Sequence, residues 1–189
     1  MMYHSQNKEA EIISNYFGSK IGTLLDIGAN DGITFSNSYD LIAKGWSGYL
    51  VEPSLAYGKL DVLYRDNARI ETVNCAIGTT NGLIDFNEGS DSLLSGFSVG
   101  NAAEYSTRQV MGDDFNTFIF NNMVGSFDFL TIDCEGADID ILKQIDLAKF
   151  GVRCLCIEHN NKDGEIIDYC KQYGLRPIHR NGENLIFGV

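Results

Sequence analysis

The chain has 189 residues, 44% of them hydrophobic and 21% charged, with 20 Gly and only 2 Pro. That length suits one domain able to bury a core without disulfides or a structural metal, and the composition excludes collagen-like, disordered and disulfide-scaffold classes. Against 26 Asp and Glu stand 14 Lys and Arg, a formal net charge of −12, so the surface on average repels phosphates and no nucleic-acid partner is expected.

Residues 1–10 are polar and lack the apolar stretch of a secretory signal. No apolar run approaches the roughly 18 residues that suggest a membrane span, so a soluble, cytoplasmic protein with no membrane partner is expected. Gly22–Ile27 reads as a buried strand ended by Gly28. A helix is predicted from there through about Gly45, with Phe35, Tyr39 and Ile42 at i, i+4 and i+7. Gly48–Val51 is a second strand and Leu55–Tyr64 a second helix. A third strand covers Ile70–Ile77 and a short one Leu83–Phe86. Region 87–126, rich in Gly, Ser and Asn, predicts loops with one short helix near Phe115–Asn121; long loops in compact domains often serve as lids or binding loops. Phe127–Ile132 and Val152–Ile157 are the fourth and fifth main strands, with a helix over Asp138–Ile145 between them. A helix over Glu165–Tyr173 is closed by Gly174. Leu175–Arg180, Asn181-Gly182 and Glu183–Val189 form a hairpin signal, since Asn-Gly suits a type I′ turn.

Strands separated by helices imply an α/β, doubly wound, mostly parallel sheet ending in an antiparallel hairpin strand. Ligands of such sheets bind beyond the carboxyl ends of the strands, where the strand order switches. The five cysteines, at 75, 134, 154, 156 and 170, are odd in number and contain no C-x-x-C pair, which argues against a disulfide framework. Cys154 and Cys156 with His159 could be metal ligands. The stronger reading places both thiols in a buried strand as small hydrophobes, because a fourth ligand at zinc-like spacing is missing.

Leu25-Asp26-Ile27-Gly28-Ala29-Asn30-Asp31-Gly32 ends a strand and opens the next segment. Its glycines permit a sharp turn and close approach of a ligand. The spacing G-x-N-x-G is not the G-x-G-x-x-G that seats a pyrophosphate. Asp26, in the last residues of a buried strand, is costly unless paired, and a ligand ammonium would pair with it. Glu52 ends the second strand, where an acid can accept hydrogen bonds from ribose hydroxyls. A ligand with an amino-acid end and a nucleoside end fits both acids, and S-adenosylmethionine is such a molecule. The alternatives are NAD or another nucleotide on a Rossmann-like sheet, or a binding module of the same fold without turnover.

The Asp26–Gly32 loop, Val51-Glu52-Pro53 and above all Ile132-Asp133-Cys134-Glu135-Gly136-Ala137-Asp138 resemble the FkbM-type methyltransferases, a branch of the class I S-adenosylmethionine-dependent enzymes. The resemblance covers roughly residues 20–160. It implies a Rossmann-like sheet of seven strands with an antiparallel final strand, and methyl transfer to a hydroxyl of a sugar or another small metabolite. Asp26, Gly28, Asn30, Gly32, Glu52 and Pro53 would hold the cofactor, with Asn74-Cys75-Ala76 along the adenine. Asp138 and Gln144 depart from the family pattern, standing where Glu and Gly are usual. Asp133 and Glu135 follow the fourth strand and could aim two acids at one cleft, where a like-charged pair would raise one pKa, which suits a general base. His159 could serve as base, or join Asp133 and Glu158 around a divalent cation. Acceptor recognition falls to region 87–126, with Ser90-Asp91-Ser92-Leu93 as candidate contacts, or to a partner subunit in a homo-oligomer.

Overall fold

A computed structural model describes residues 4–89, 93, 95, 96 and 105–189. In chain order the elements are α1 (Glu9–Phe17), β1 (Thr23–Ile27), α2 (Tyr39–Ala43), β2 (Ser47–Val51), α3 (Tyr57–Tyr64), β3 (Ile70–Val73), β4 (Ala76–Gly78), β5 (Gly82–Gly89), β6 (Tyr105–Asp114), α4 (Phe115–Asn121), β7 (Phe129–Ile132), α5 (Asp138–Leu142), α6 (Leu147–Phe150), β8 (Cys154–Glu158), α7 (Asp163–Lys171), β9 (Arg176–Arg180) and β10 (Asn184–Gly188). Seven strands form the main sheet in the order β3-β2-β1-β7-β8-β10-β9. The pairs from β3 to β8 are parallel, while β10 runs antiparallel to both β8 and β9.

The central strands are apolar on both faces because each face carries helices. Successive residues of one strand serve opposite sides. Leu25, Ile27, Leu130, Ile132, Leu155 and Ile157 enter one core cluster. Leu24, Leu50, Phe129, Cys154, Cys156 and Ile186 enter the other, together with Ile13 and Phe17 of α1 and with Trp46. Cys154 and Cys156 are thus core side chains, and burial pushes the Cys154 thiol up to about 12. All five cysteines are free thiols. Among the described residues, no helix is long and apolar enough to cross a membrane.

Four local expectations change. The helix after the glycine loop begins only at Tyr39, and Phe35 sits outside it at φ 55°. The Asp31 carboxylate accepts the N–H groups of Ile33 and Thr34 at 3.0 and 2.7 Å, a side-chain turn that competes with helix. The strand expected over Ile70–Ile77 divides at Asn74-Cys75, and β4 leaves the main sheet to join a second one, ordered β4-β6-β5. Residues 105–114, read as loop, form a ten-residue strand paired with β5 from Gly82↔Gly112 to Gly89↔Tyr105. Only Val110 and Gly112 of that strand are buried, so it shows little apolar alternation. Finally, the terminal hairpin exists, but Asn181 and Gly182 are not at positive φ, so its turn is not type I′. Asn181 Oδ1 instead accepts the N–H groups of Glu183 and Asn184, and Asn181 N–H donates to the Asn184 carbonyl.

Gly48 lies opposite Leu24 at φ 154°, and a Cβ there would stand 1.9 Å from the Leu24 carbonyl oxygen. Gly48→Ala should therefore lower unfolding free energy by about 3 kcal/mol in chemical denaturation. Wild-type stability would mean that β2 is not held against β1 in this register.

Candidate active site

The last rung of the parallel ladder is Ile27, Val51, Ile132 and Ile157, paired across β2, β1, β7 and β8. The residues one step beyond it are Gly28, Glu52, Asp133 and Glu158, and all four line one cleft of about 360 Å³. This is the size of a small-molecule site, at the point where the strand order reverses. Asn30, Pro53, Cys75, Ala76 and Glu135 also face it.

The tips of β1 and β7 approach so closely that a Cβ on Gly28, at φ 90°, would lie 1.8 Å from the Asp133 carbonyl oxygen. The N–H groups of Gly28 and Ala29 both donate to the Val51 carbonyl, which ties the loop to β2. Asn30, at φ 49°, turns its N–H onto Glu52 Oε2 at 2.7 Å, and Ser54 N–H donates to Oε1 at 2.7 Å. The Glu52 carboxylate is fixed from both sides, while burial raises its pKa. Asn30 Oδ1 is buried and has no partner among the described residues.

Three sequence-predicted residues are not on the cleft wall. Asp26 sits one rung short of the tip, paired with Leu50 and Thr131, where Ser38 Oγ donates to its carboxylate at 2.5 Å. Burial pushes its pKa up to about 7. In the fold its partner is the Ser38 hydroxyl. Gly32 faces α3, where a Cβ would stand 2.6 Å from Leu60 and 2.9 Å from Tyr64; its missing side chain serves helix packing. His159, one residue past Glu158, is turned into the following loop. Its Nδ1 accepts Asn161 N–H and lies 3.4 Å from Asp163, and its Nε2 is buried with no partner among the described residues.

A different acid completes the cluster. Asp138 accepts the N–H groups of Cys134 and Gly136 at 2.8 and 2.9 Å, and Asn160 Nδ2 bridges it to Glu158. Asp138, where the family pattern has Glu, thereby shapes a turn in which Glu135 and Gly136 stand at φ 50° and 104°. Gln144, the other departure, accepts Phe115 N–H and donates to the Gly78 carbonyl, tying α5 to β4. Carboxylate oxygens of Asp133, Asp138 and Glu158 fall within 4.8 Å of one another. His159 takes no part, and the N–H groups of Cys134, Gly136 and Asn160 tie Asp138 and Glu158 into a hydrogen-bonded acid network. Burial, and after it repulsion from Glu158, pushes Glu135 up to about 7 and holds Asp133 well above the carboxylate range. Burial likewise pushes Asp138 up to about 6.

Long-range contacts close the cleft, and no local pattern announces them. Glu88 of β5 accepts Leu55 N–H at 2.9 Å and pairs with Arg108 of β6 at 2.9 Å, and Arg108 also donates to the Pro53 carbonyl. This clamps the hairpin over the Glu52-Pro53 corner and brings Phe86 and Leu93 to the wall. Ser90, Asp91 and Ser92 lie outside the described residues. At the opposite end, a bridge between Ser5 and Phe35 carries Gln6 to the wall, and Asn7 Nδ2 donates to Glu183 at 3.0 Å.

Residues 26–177 match the model of the methyltransferase FkbM domain. The chain belongs to that family. Among solved structures, this FkbM domain is similar to the FkbM methyltransferase of Methylobacillus flagellatus, with 14% identity and a TM-score of 0.57 over 89% of this chain and 44% of that one. It is also similar to Aeropyrum pernix fibrillarin with bound S-adenosyl-L-methionine, at 17% identity and a TM-score of 0.54 over 99% and 75% of the two chains. A Burkholderia thailandensis N1-methyltransferase with bound S-adenosylhomocysteine gives 11% and 0.50 over 96% and 75%. At such identities the likeness concerns the fold. The chain spans less than half the length of the Methylobacillus protein. No curated protein matches it in sequence.

The acid cluster makes stability depend on pH in a definite direction. Unfolded carboxyls titrate near about 4. Folded Asp26 and Glu135 titrate at about 7 and Asp138 at about 6, so the native state holds extra protons in between. Their stabilisation is complete below about 4 and is lost as pH rises through 6 to 7. Denaturant midpoints at constant ionic strength should fall between pH 5 and pH 8, and Asp26→Asn should reduce that fall. A midpoint at pH 8 equal to that at pH 5 would show that these acids stay ionised in the fold.

Proposed function

We propose that this FkbM domain transfers a methyl group from S-adenosylmethionine to a hydroxyl of a sugar or another small metabolite. The observation that carries the reading is the Glu52 carboxylate, held by two backbone N–H groups at the β2 tip and facing the same cleft as Gly28 and Asp133. Glu52 accepts the two ribose hydroxyls, since each of its oxygens keeps a lone pair beyond the backbone bond. Cys75, Ala76, Ile77 and Phe86 offer the adenine an apolar slot. The orphaned Asn30 Oδ1, on the same wall, is an acceptor suited to the ammonium that Asp26 does not reach. The residues present therefore fit the cofactor, which supplies an electrophilic methyl group when bound.

Asp133 and Glu135 orient the acceptor at the β7 tip, and orientation provides much of the acceleration for such a displacement. Glu135, poised at about 7, takes the proton that the hydroxyl loses as it becomes an ether. An NAD reading fares worse, because a pyrophosphate would face acids on this wall with no Lys or Arg among its described residues.

Calorimetry should show binding of S-adenosylhomocysteine, and Glu52→Gln should weaken it by about tenfold to a hundredfold through loss of charge-assisted hydrogen bonds. No binding to the folded wild type would overturn the methyl-donor reading. With labelled donor and a panel of hydroxylated acceptors, wild-type turnover should rise with pH and level off above about 7. Glu135→Gln should lose that rise while keeping cofactor affinity; an unchanged profile would remove Glu135 as base.

A further inference from the structure

The carboxyls on the cleft wall have no cationic counterpart. Glu52, Asp133, Glu135, Glu158 and Glu183 face it, and among its described residues there is no Lys, Arg or His. Segment 87–104, which includes the remaining residues of the β5–β6 connection, has no Lys, Arg or His in its sequence either. Arg108 is the cation attached to this region, and Glu88 and the Pro53 carbonyl already hold its guanidinium. The strand order also grades the charge. Glu52 belongs to the β2 tip, Asp133 and Glu135 follow β7, Glu158 ends β8, and Glu183 immediately precedes β10. With the ribose on Glu52, as proposed above, the cleft runs past the β7 tip to β8 and β10, where the other acids stand.

We infer that the acceptor end of this cleft selects an uncharged or cationic hydroxylated molecule, such as a free sugar, an amino sugar or a neutral glycoside, and turns away phosphorylated and carboxylated ones. The inference rests on the methyl-transfer reading above. Specificity by repulsion is an effective device where a like-charged ligand must enter a partly water-excluded site. Attraction adds to it for amines, whose ammonium meets Glu158 and Glu183 together. Glu183 takes its hydrogen bond from the Asn7 amide, and among the described residues no cation pairs with it.

Two cofactor analogues probe the field at the reactive end. Sinefungin carries an ammonium where the cofactor carries its methyl, and S-adenosylhomocysteine carries nothing there. Calorimetry should find sinefungin on the order of tenfold tighter, with the ratio shrinking at high salt and in Glu183→Lys. Equal affinities, or a ratio that Glu183→Lys and Glu158→Gln both leave unchanged, would overturn this inference alone. Failure of both analogues to bind would overturn the cofactor reading and this inference with it. Transfer of labelled methyl to methyl glucoside, glucosamine, glucose 6-phosphate and glucuronate gives the second readout. Turnover confined to the first two supports the selection, anionic acceptors used as well as neutral ones overturn it, and with no turnover of any the analogue ratio decides.

Discussion

The cleft depends on one close approach, that of the β1 and β7 tips. Gly28 lies against the Asp133 carbonyl at a distance no side chain tolerates, and Asp133 N–H returns a 2.9 Å hydrogen bond to the Ile27 carbonyl. These strands are neighbours in space but are separated by a hundred residues of chain, and their junction is where the strand order reverses. A larger residue at 28 would wedge them apart, move Asp133 and Glu135, and release the loop whose Asn30 N–H fixes Glu52. Glycine at this position is therefore as much a packing requirement between strands as an opening for a ligand.

Beyond that junction, depth along the strand decides chemistry. Gly28, Glu52, Asp133 and Glu158 each stand one residue past the last ladder rung and face the cleft. Asp26 stands one rung earlier and is sealed under Ser38, although its residue type and its place in the glycine motif point to the ligand. His159 stands one residue later and is captured by the turn that starts α7. Two residues along the strand separate a cleft-facing acid from one sealed beneath it. That displacement is also why the acids differ in pKa cause: burial dominates throughout, but repulsion from Glu158 weighs most on the tip residues of β7.

The alternating strands and helices, the doubly wound sheet and the antiparallel end were legible because the central strands are apolar on both faces and their boundaries carry Gly and Pro. Most of the cleft was legible too, since Gly28, Asn30, Glu52, Pro53, Cys75, Ala76, Asp133 and Glu135 follow strand ends that apolar runs mark out. What stayed hidden has a common physical origin. Half of the β6 residues are exposed and only Val110 and Gly112 are buried, so it has no hydrophobic period to read. The split of β3 from β4 follows from Asn74, whose amide is drawn to the Glu52 carbonyl 22 positions away. Asp138 and Asn160 look like ordinary helix-start and loop residues until the turn at Glu135-Gly136 brings them together.

The acids raise a question of balance that the network itself answers. Four carboxyls around one turn would repel each other strongly if all were ionised, and desolvation makes the charged forms dearer still. Asp138 is the member that can bear charge most readily, because three N–H groups converge on it, and its pKa is accordingly pushed up less than that of Asp133. Asp133 accepts no hydrogen bond among the described residues and so takes most of the strain. A cationic sulfonium arriving at the β7 tip would relieve that strain and favour ionisation of Asp133. Binding of a positively charged donor would then be coupled to release of a proton, while binding of its neutral product would not.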